Sequence, residues 1–279
     1  SVTPLGLVFV AATSALCAPL WIQGVVVELY GLQALVLFLA LLAVCHGKGA
    51  VHGYTLAGAL LGLAGAINPL LTVLALPGAL IVAIARHGRP SVTSLAAGTA
   101  AAVAVGISCY LYLPLRSAAD PAVCFAVLDE PAELLGFMSG SPYARSFGPQ
   151  GPAGLMGNVA EHVGLLLVWC GLPALLLGAL GVVVWVKNGA VMAAGLLLFG
   201  LASWLTTATR PTLETFTPDV AGYLLGSCLV VIMVGAAAVG WIQRRSTTVS
   251  AVIVVVAVAW TGVVGWTQTR VHRVDAAQR

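Results

Sequence analysis

Two arginines and four acids stand in one polar interruption of an otherwise apolar chain. Residues 110–147 hold Arg116, Arg145, Asp120, Asp129, Glu130 and Glu133, against nine acids in the whole sequence. A chain this apolar places few charges, so six together mark where water and a ligand are met. An arginine fork binds phosphate bidentately, and Arg116 with Arg145 could form such an anion site. Tyr110, Tyr112 and Arg116 also admit a plainer reading, as belt aromatics and a snorkelling cation at the end of a span. Glu28 divides in the same way. It is either an interfacial acid at a helix N-terminus, where the dipole favours it, or a carboxylate lining a polar cavity. Trp21 and Tyr30 flank it as interfacial aromatics.

The remaining polar groups read more plainly. Asn68-Pro69 between two apolar runs is turn chemistry. The 139–143 stretch, ending in Pro142 and Tyr143, reads as a loop turn. Glu161-His162 has no second histidine at ligand spacing and reads as an interfacial polar pair rather than a metal or acid–base pair. Arg210, Glu214 and Asp219 read as a solvated loop with an acid before the next span. Six cysteines match no metal spacing and read as small packing residues. Five sit in or at the ends of apolar runs; Cys124 alone falls in the long polar stretch. No Walker, HExxH, GxSxG or CxxC pattern occurs. No basic cluster suggests nucleic acid.

These groups are positioned by membrane spans. Sixty per cent of residues are hydrophobic, 8% are charged, and mean hydropathy is +1.05. A soluble domain carries about a quarter charged residues. Long unbroken apolar runs point to helices rather than the alternating strands of a barrel. The fold class is an all-α polytopic membrane protein, one transmembrane domain over 1–279. The sequence predicts nine spans, at about 4–19, 29–45, 53–67, 70–85, 94–113, 160–184, 189–208, 221–241 and 248–267. The third and fourth are short, and read as a tight hairpin rather than one broken helix. Residues 114–159 form a long loop and 268–279 a tail. Pro114 is expected to stop the fifth span. Within the loop, residues 130–138 read as a short amphipathic helix, with Pro131 in its first turn and Leu134, Leu135, Phe137 and Met138 on one face. Such a helix lies in the interface.

Orientation follows from the connections. The 46–52, 86–93, 187–188 and 242–247 connections hold Lys48, Arg86, Arg89, Lys187, Arg244 and Arg245 and no acid; the opposite set holds all nine acids. Cationic short loops mark the cytoplasmic side. The long loop is then extracytoplasmic, although Arg270, Arg273 and Arg279 in the tail run against the rule. No basic region precedes the first apolar segment, as a signal peptide would require.

Four stretches resemble one known family. The run from Trp21 and Gln23 through Glu28, Tyr30 and Leu32 to Gln33, Ala34 and Leu35 is the first. Gly62 to Asn68-Pro69 resembles a glycine-rich segment that ends in Asn-His in the family. Tyr112-Leu113-Pro114-Leu115-Arg116 with Pro121, and Phe137 to Tyr143, resemble two consecutive signatures. Together they resemble the bacterial membrane proteins related to transmembrane protein O-mannosyltransferases, within the C-type (GT-C) membrane glycosyltransferases. The resemblance covers about residues 15–147, with a weaker echo at 219–225.

The resemblance implies a transferase that uses a polyprenyl-phosphate sugar on the extracytoplasmic face, in a bacterial inner membrane. It implies Arg116, Arg145, Tyr30, Asn68, Tyr112 and Tyr143 as residues for the lipid phosphate or substrate, and Glu28 as the catalytic acid. No cofactor follows with certainty; a divalent metal is open, with no metal ligand assigned. The chain also departs from the family. It begins near the family's third or fourth span, so the first-loop catalytic aspartate is not in it, and Asn-His has become Asn68-Pro69. The tryptophan and asparagine that often follow the arginine signature are missing too. A partner chain supplying the missing spans is therefore one expectation, and a C-terminal part of an enzyme another. The alternative function is a non-catalytic membrane subunit that keeps the GT-C-like scaffold. A transporter is a weaker third, because the spans lack buried charges along a pathway.

Overall fold

A computed structural model describes residues 3–25, 29–46, 51–118, 130–138, 152–208 and 218–278, and every regular element in them is an α-helix. They are α1 (Pro4–Leu16), α2 (Ala18–Val25), α3 (Tyr30–His46), α4 (Val51–Ile67), α5 (Pro69–His87), α6 (Val92–Ala118), α7 (Pro131–Met138), α8 (Pro152–Cys170), α9 (Leu172–Ala208), α10 (Pro218–Gln243) and α11 (Thr247–Gln278). Four helices are long and apolar enough to cross a membrane, or five if the bent pair α8–α9 counts as one.

Local chemistry sets the helix ends. Thr3 caps α1 by accepting from the Gly6 amide at 3.3 Å, and Pro4 starts the helix. Asn68 does the same for α5, its Oδ1 3.0 Å from the Leu71 amide, with Pro69 following. Gly88 closes α5 at φ 77, a left-handed conformation that favours glycine. Ser91 and Ser246 cap α6 and α11 through Ser94 and Val249.

Two proline expectations come out differently. Pro131 does open a short helix, and Glu133 folds back to accept from the Glu130 amide at 3.2 Å. Leu134 and Phe137 are half-buried, whereas Leu135 is exposed. Pro114 does not stop α6, which runs on to Ala118. A proline removes one backbone bond and strains one turn, a cost of about 3 kcal/mol. Membrane helices tolerate this more readily because local adjustments re-satisfy the freed carbonyl. Helix α6 therefore ends at Ala118 and α8 begins at Pro152, both inside the expected 114–159 loop.

Side-chain contacts order the helices. Gln33 reaches Asn68 and Thr72 at the start of α5, while His87 at its end lies 2.6 Å from the Val44 carbonyl of α3. So α3 and α5 run parallel, and α4 must return between them. The Asn68-Pro69 turn is thus a hairpin, as expected from the lengths of its arms. Built side chains at Gly58 and Gly62 of α4 would strike the backbones of Gly98 and Ala102 of α6. These two helices also run parallel, with their backbones in contact along a small-residue seam.

Helix α9 is 37 residues, about 55 Å if straight. Its contacts forbid that. Gly181 packs on Val234 of α10, and Gly200 packs on Val230, one turn away. A straight helix would hold Gly181 and Gly200 about 28 Å apart. The limbs Leu172–Lys187 and Val191–Leu205 therefore double back on one another beside α10, the reversal falling near the sequence-expected connection at 187–188.

The 160–184 run is where expectation fails. It is apolar throughout but is not one straight span: α8 and the first limb of α9 meet at 110°, at Gly171 with φ 79. Thr261 of α11 donates to the Cys170 carbonyl at 3.0 Å and so meets one of the backbone groups freed at the break. A side chain at Gly171 would run into Trp260. Hydropathy cannot report the bend, because both limbs are equally apolar.

The core has two main centres. One gathers Phe9, Trp169, Leu224, Leu225, Ile232 and Val239 where α1, α8, α10 and α11 meet. The other gathers Leu37, Leu71, Val82, Phe199 and Val234 from α3, α5, α9 and α10. Cys17, Cys170 and Cys228 are fully buried in the first, as packing residues would be.

Candidate functional site

The helix directions leave two unlike ends. One gathers His46, Arg86, His87, Arg89, Lys187, Arg244 and Arg245, and among its described residues no acid. Two of these cations serve helix ends: Arg86 donates to the Cys45 carbonyl at 3.4 Å, and Arg245 donates to the Trp241 carbonyl at 3.2 Å while lying over the Trp241 ring. The other end holds the N-termini of α3 and α5 and the C-termini of α4 and α6. It is the end that bears Tyr30, Asn68, Tyr110 and Tyr112.

At that end α3, α5, α9 and α10 enclose a crevice lined by Tyr30, Ala34, Leu37, Leu71, Phe199 and Ser203, with bare Gly226 as part of its wall. Beside it lies a polar knot. The Asn68 carbonyl accepts from the Thr72 amide at 3.2 Å, the Thr72 hydroxyl at 2.9 Å and the Gln33 side chain at 3.0 Å. Three donors on one carbonyl hold the α4–α5 turn against the start of α3. Tyr110 adds a fourth tie, its hydroxyl 3.2 Å from the Gly65 carbonyl in the last turn of α4. On the far wall, the Ser227 hydroxyl donates to the Gly200 carbonyl at 2.7 Å.

The expected site residues distribute unevenly over this arrangement. Tyr30 lines the crevice, and three residues on along α3 Gln33 reaches the Asn68 carbonyl. The Asn68 side chain serves as the α5 cap, so its Oδ1 is engaged in structure. Tyr112 does not join them: it is 61% exposed and lies 200° around α6 from Tyr110, which does. Arg116 lies on α6 six residues beyond Tyr110, and the side chain of Arg116 falls outside the described residues. So do Glu28, Tyr143 and Arg145 entirely.

Sequence reasoning missed Gln33 and Thr72 as site residues, although Gln33 stood inside the first quoted stretch. The available signal was a polar side chain in the middle of an apolar run, which is costly in a membrane unless it has partners. It also paired Glu161 with His162, and the structure separates them. Neighbouring residues on a helix point 100° apart. His162 is fully buried, with Nδ1 2.5 Å from the Asn158 carbonyl and its ring edge-on to Trp204 at 5.8 Å, while Glu161 is half-exposed.

Among the described residues, no group of three His, Cys, Asp or Glu side chains could hold a metal ion. The chemistry available in the described corner is neutral: amide, hydroxyl and phenol groups above an apolar floor. Compared with protein-family models, with curated proteins and with solved structures, the chain finds no match in any of the three.

Proposed function

We propose that this chain is a GT-C-like membrane glycosyltransferase, or the C-terminal part of one, dependent on a polyprenyl-phosphate sugar and acting at the acid-bearing end of the bundle. The observation that carries the reading is convergence. Three stretches that carry the family resemblance, around Tyr30–Gln33, Gly62–Asn68 and Tyr110–Arg116, are separate in sequence and tied together at one end by Gln33, Asn68, Thr72 and Tyr110. Arg116 follows that corner on α6 and is our phosphate-binding residue, with Arg145 as its partner. A cation beside the bilayer acts in low dielectric, which strengthens its pull on a departing phosphate. Glu28 is our acid near the sugar, with Tyr143 in the substrate set; Tyr112, which faces away from the corner, is left out of it.

The proposal includes nine spans. The four long apolar helices, the bent pair and the four shorter apolar segments Pro4–Leu16, Tyr30–His46, Val51–Ile67 and Val191–Leu205 together make that number. Tyr30–His46 and Val51–Ile67, of 17 residues each, sit at the lower limit for crossing a bilayer, and the other two are shorter still. The acid-free cationic end then faces the cytoplasm, and α7 lies along the opposite membrane surface. Cysteines placed at Ser141 and Thr247 test this in intact cells: only the first reacts with an impermeant reagent. Equal labelling, or the reverse, overturns it.

A specific observation favours a second reading, a non-catalytic scaffold subunit. The described corner holds no carboxylate, so a base for the acceptor hydroxyl must come from Glu28 or from another chain. Purified chain should bind polyprenyl phosphate and lose about tenfold or more in affinity on Arg116→Ala, while transferring sugar poorly by itself. Robust transfer by the isolated chain removes the subunit reading. Binding that ignores Arg116→Ala removes the phosphate site.

A further inference from the structure

The cationic end of the bundle has one corner whose charges the fold leaves unanswered. The glycine seam sets its geometry. Gly58 meets Gly98 and Gly62 meets Ala102, so α4 and α6 keep one register, and that register brings Val51 of α4 level with Ser91, the cap of α6. Helix α5 reaches the same level beside the end of α3, where Arg86 donates to the Cys45 carbonyl at 3.4 Å and His87 lies 2.6 Å from the Val44 carbonyl. Gly88 then turns the chain at φ 77, and Arg89 stands two residues before Ser91. Arg86 and Arg89 thus flank the short link from α5 to α6, with the start of α4 alongside.

Both arginines are exposed and rich in unused donors. Arg86 commits its Nε–H to Cys45; its two terminal nitrogens, and the whole Arg89 guanidinium, have no partner among the described residues. No acid occurs in 46–52 or 86–93, so no carboxylate of these connections can neutralise them. The amino ends of α4 and α6 add charge of the same sign. Arg245, at the same end, is different, because the Trp241 carbonyl and ring already occupy it. Beside the two free arginines the surface is apolar: Leu42, Val51 and Ile84 are exposed, and Val92 is 84% exposed. A bare anion would answer the arginines and leave this apolar rim uncovered. A zwitterionic lipid would bring a cation of its own to a place that already has an excess of them. A lipid with a net negative headgroup matches both the donors and the rim.

We propose that this corner binds an anionic phospholipid, with the Arg86 and Arg89 guanidinium groups on its phosphate and Ile84 and Val92 along its acyl chains. The planar guanidinium fork suits a phosphate bidentately, and basic pockets between membrane helices are where such headgroups are held. The site stands at the end of the bundle opposite the Asn68 corner, and it does not rest on the transferase reading.

The test offers the full chain, in dodecyl maltoside micelles, equal amounts of phosphatidylglycerol and phosphatidylcholine with identical acyl chains, and counts the lipid retained by native mass spectrometry. The wild type should prefer phosphatidylglycerol by about twentyfold, since each arginine near a lipid headgroup contributes roughly fivefold. Arg89→Gln, at a side chain the fold does not use, should lower that preference about fivefold, and Arg86→Gln about as much. The double substitution should leave almost none. Arg245→Gln should change nothing, because Trp241 already holds that side chain. Millimolar inorganic phosphate should not displace the lipid. Equal retention of the two lipids by the wild type, or a preference that survives the double substitution, overturns the site. A preference that falls as far in Arg245→Gln as in Arg89→Gln means that net charge alone attracts the lipid, and the corner falls with it. Displacement by inorganic phosphate overturns the lipid and leaves a site for a free anion.

Discussion

Helices α6 and α10 look alike as sequences and live differently in the fold. Both are long, apolar and rich in small residues. Yet 61% of the apolar window of α10 is buried and only 11% of that of α6. Helix α10 is the axle: α1, α2, α3, α8, α9 and α11 all pack on it. Helix α6 is a rim, held by its seam with α4 and touched otherwise by α7. Apolarity in a membrane chain is set by lipid as much as by core, so it does not tell an axle from a rim. Glycine placement does. Glycines that admit no Cβ mark where backbones meet, and their partners say how much structure depends on the meeting.

This contrast can be broken or sharpened by substitution. Gly181→Leu should do most damage, because a side chain there collides with the Val234 backbone in the middle of the bundle. We expect a loss of about 3 kcal/mol or failure to accumulate folded protein, read as the thermal midpoint in detergent. Gly58→Leu meets the Gly98 carbonyl and should cost about 2 kcal/mol, confined to the rim. Hydrogen exchange should rise across α6 and stay unchanged across α10; equal loosening of both would mean that α6 is no rim.

Thr261→Val deletes the hydroxyl that serves the Cys170 carbonyl and should cost about 1 kcal/mol. An unchanged thermal midpoint would show that the bend at Gly171 holds itself. Gly164→Ala is the control with the opposite sign. Gly164 lies in α8 with nothing within 4 Å of a built Cβ, so alanine should stabilise by about 0.5 kcal/mol through helix propensity. Destabilisation there would show that α8 is packed more tightly than its neighbours indicate.

Much of the fold was legible because a bilayer forces apolar runs into helices. The Asn68-Pro69 hairpin could be read from arm lengths, the α7 start from Pro131, and the two unlike ends from charge segregation. Three features were not legible, each for a physical reason. Pro114 was overridden because helix context in a membrane tolerates a lost backbone bond. The Gly171 break hid in a run whose two limbs share one composition. The corner around Gln33 depends on residues 35 and 39 positions apart, and spacing within one run cannot reveal a contact between two. Of the named residues, Tyr30 and Asn68 lie at one end of the bundle and Tyr112 is exposed, while the tie to Asn68 comes from Gln33, which no motif had assigned.

The bend at Gly171 has a consequence for how the chain is made. Membrane insertion sorts segments by apolarity as they emerge, and residues 160–184 qualify as one unbroken span. The groups that hold them bent, Trp260 and Thr261, emerge about 90 residues later, on α11. We expect α8 to take up its bent position only once α11 has arrived. Truncation before residue 260 should leave the earlier posture trapped, with His162 at a different depth, as cysteine accessibility along α8 would reveal. Helix α11 acts, in this sense, as a late clamp on a bend whose residues are made well before it.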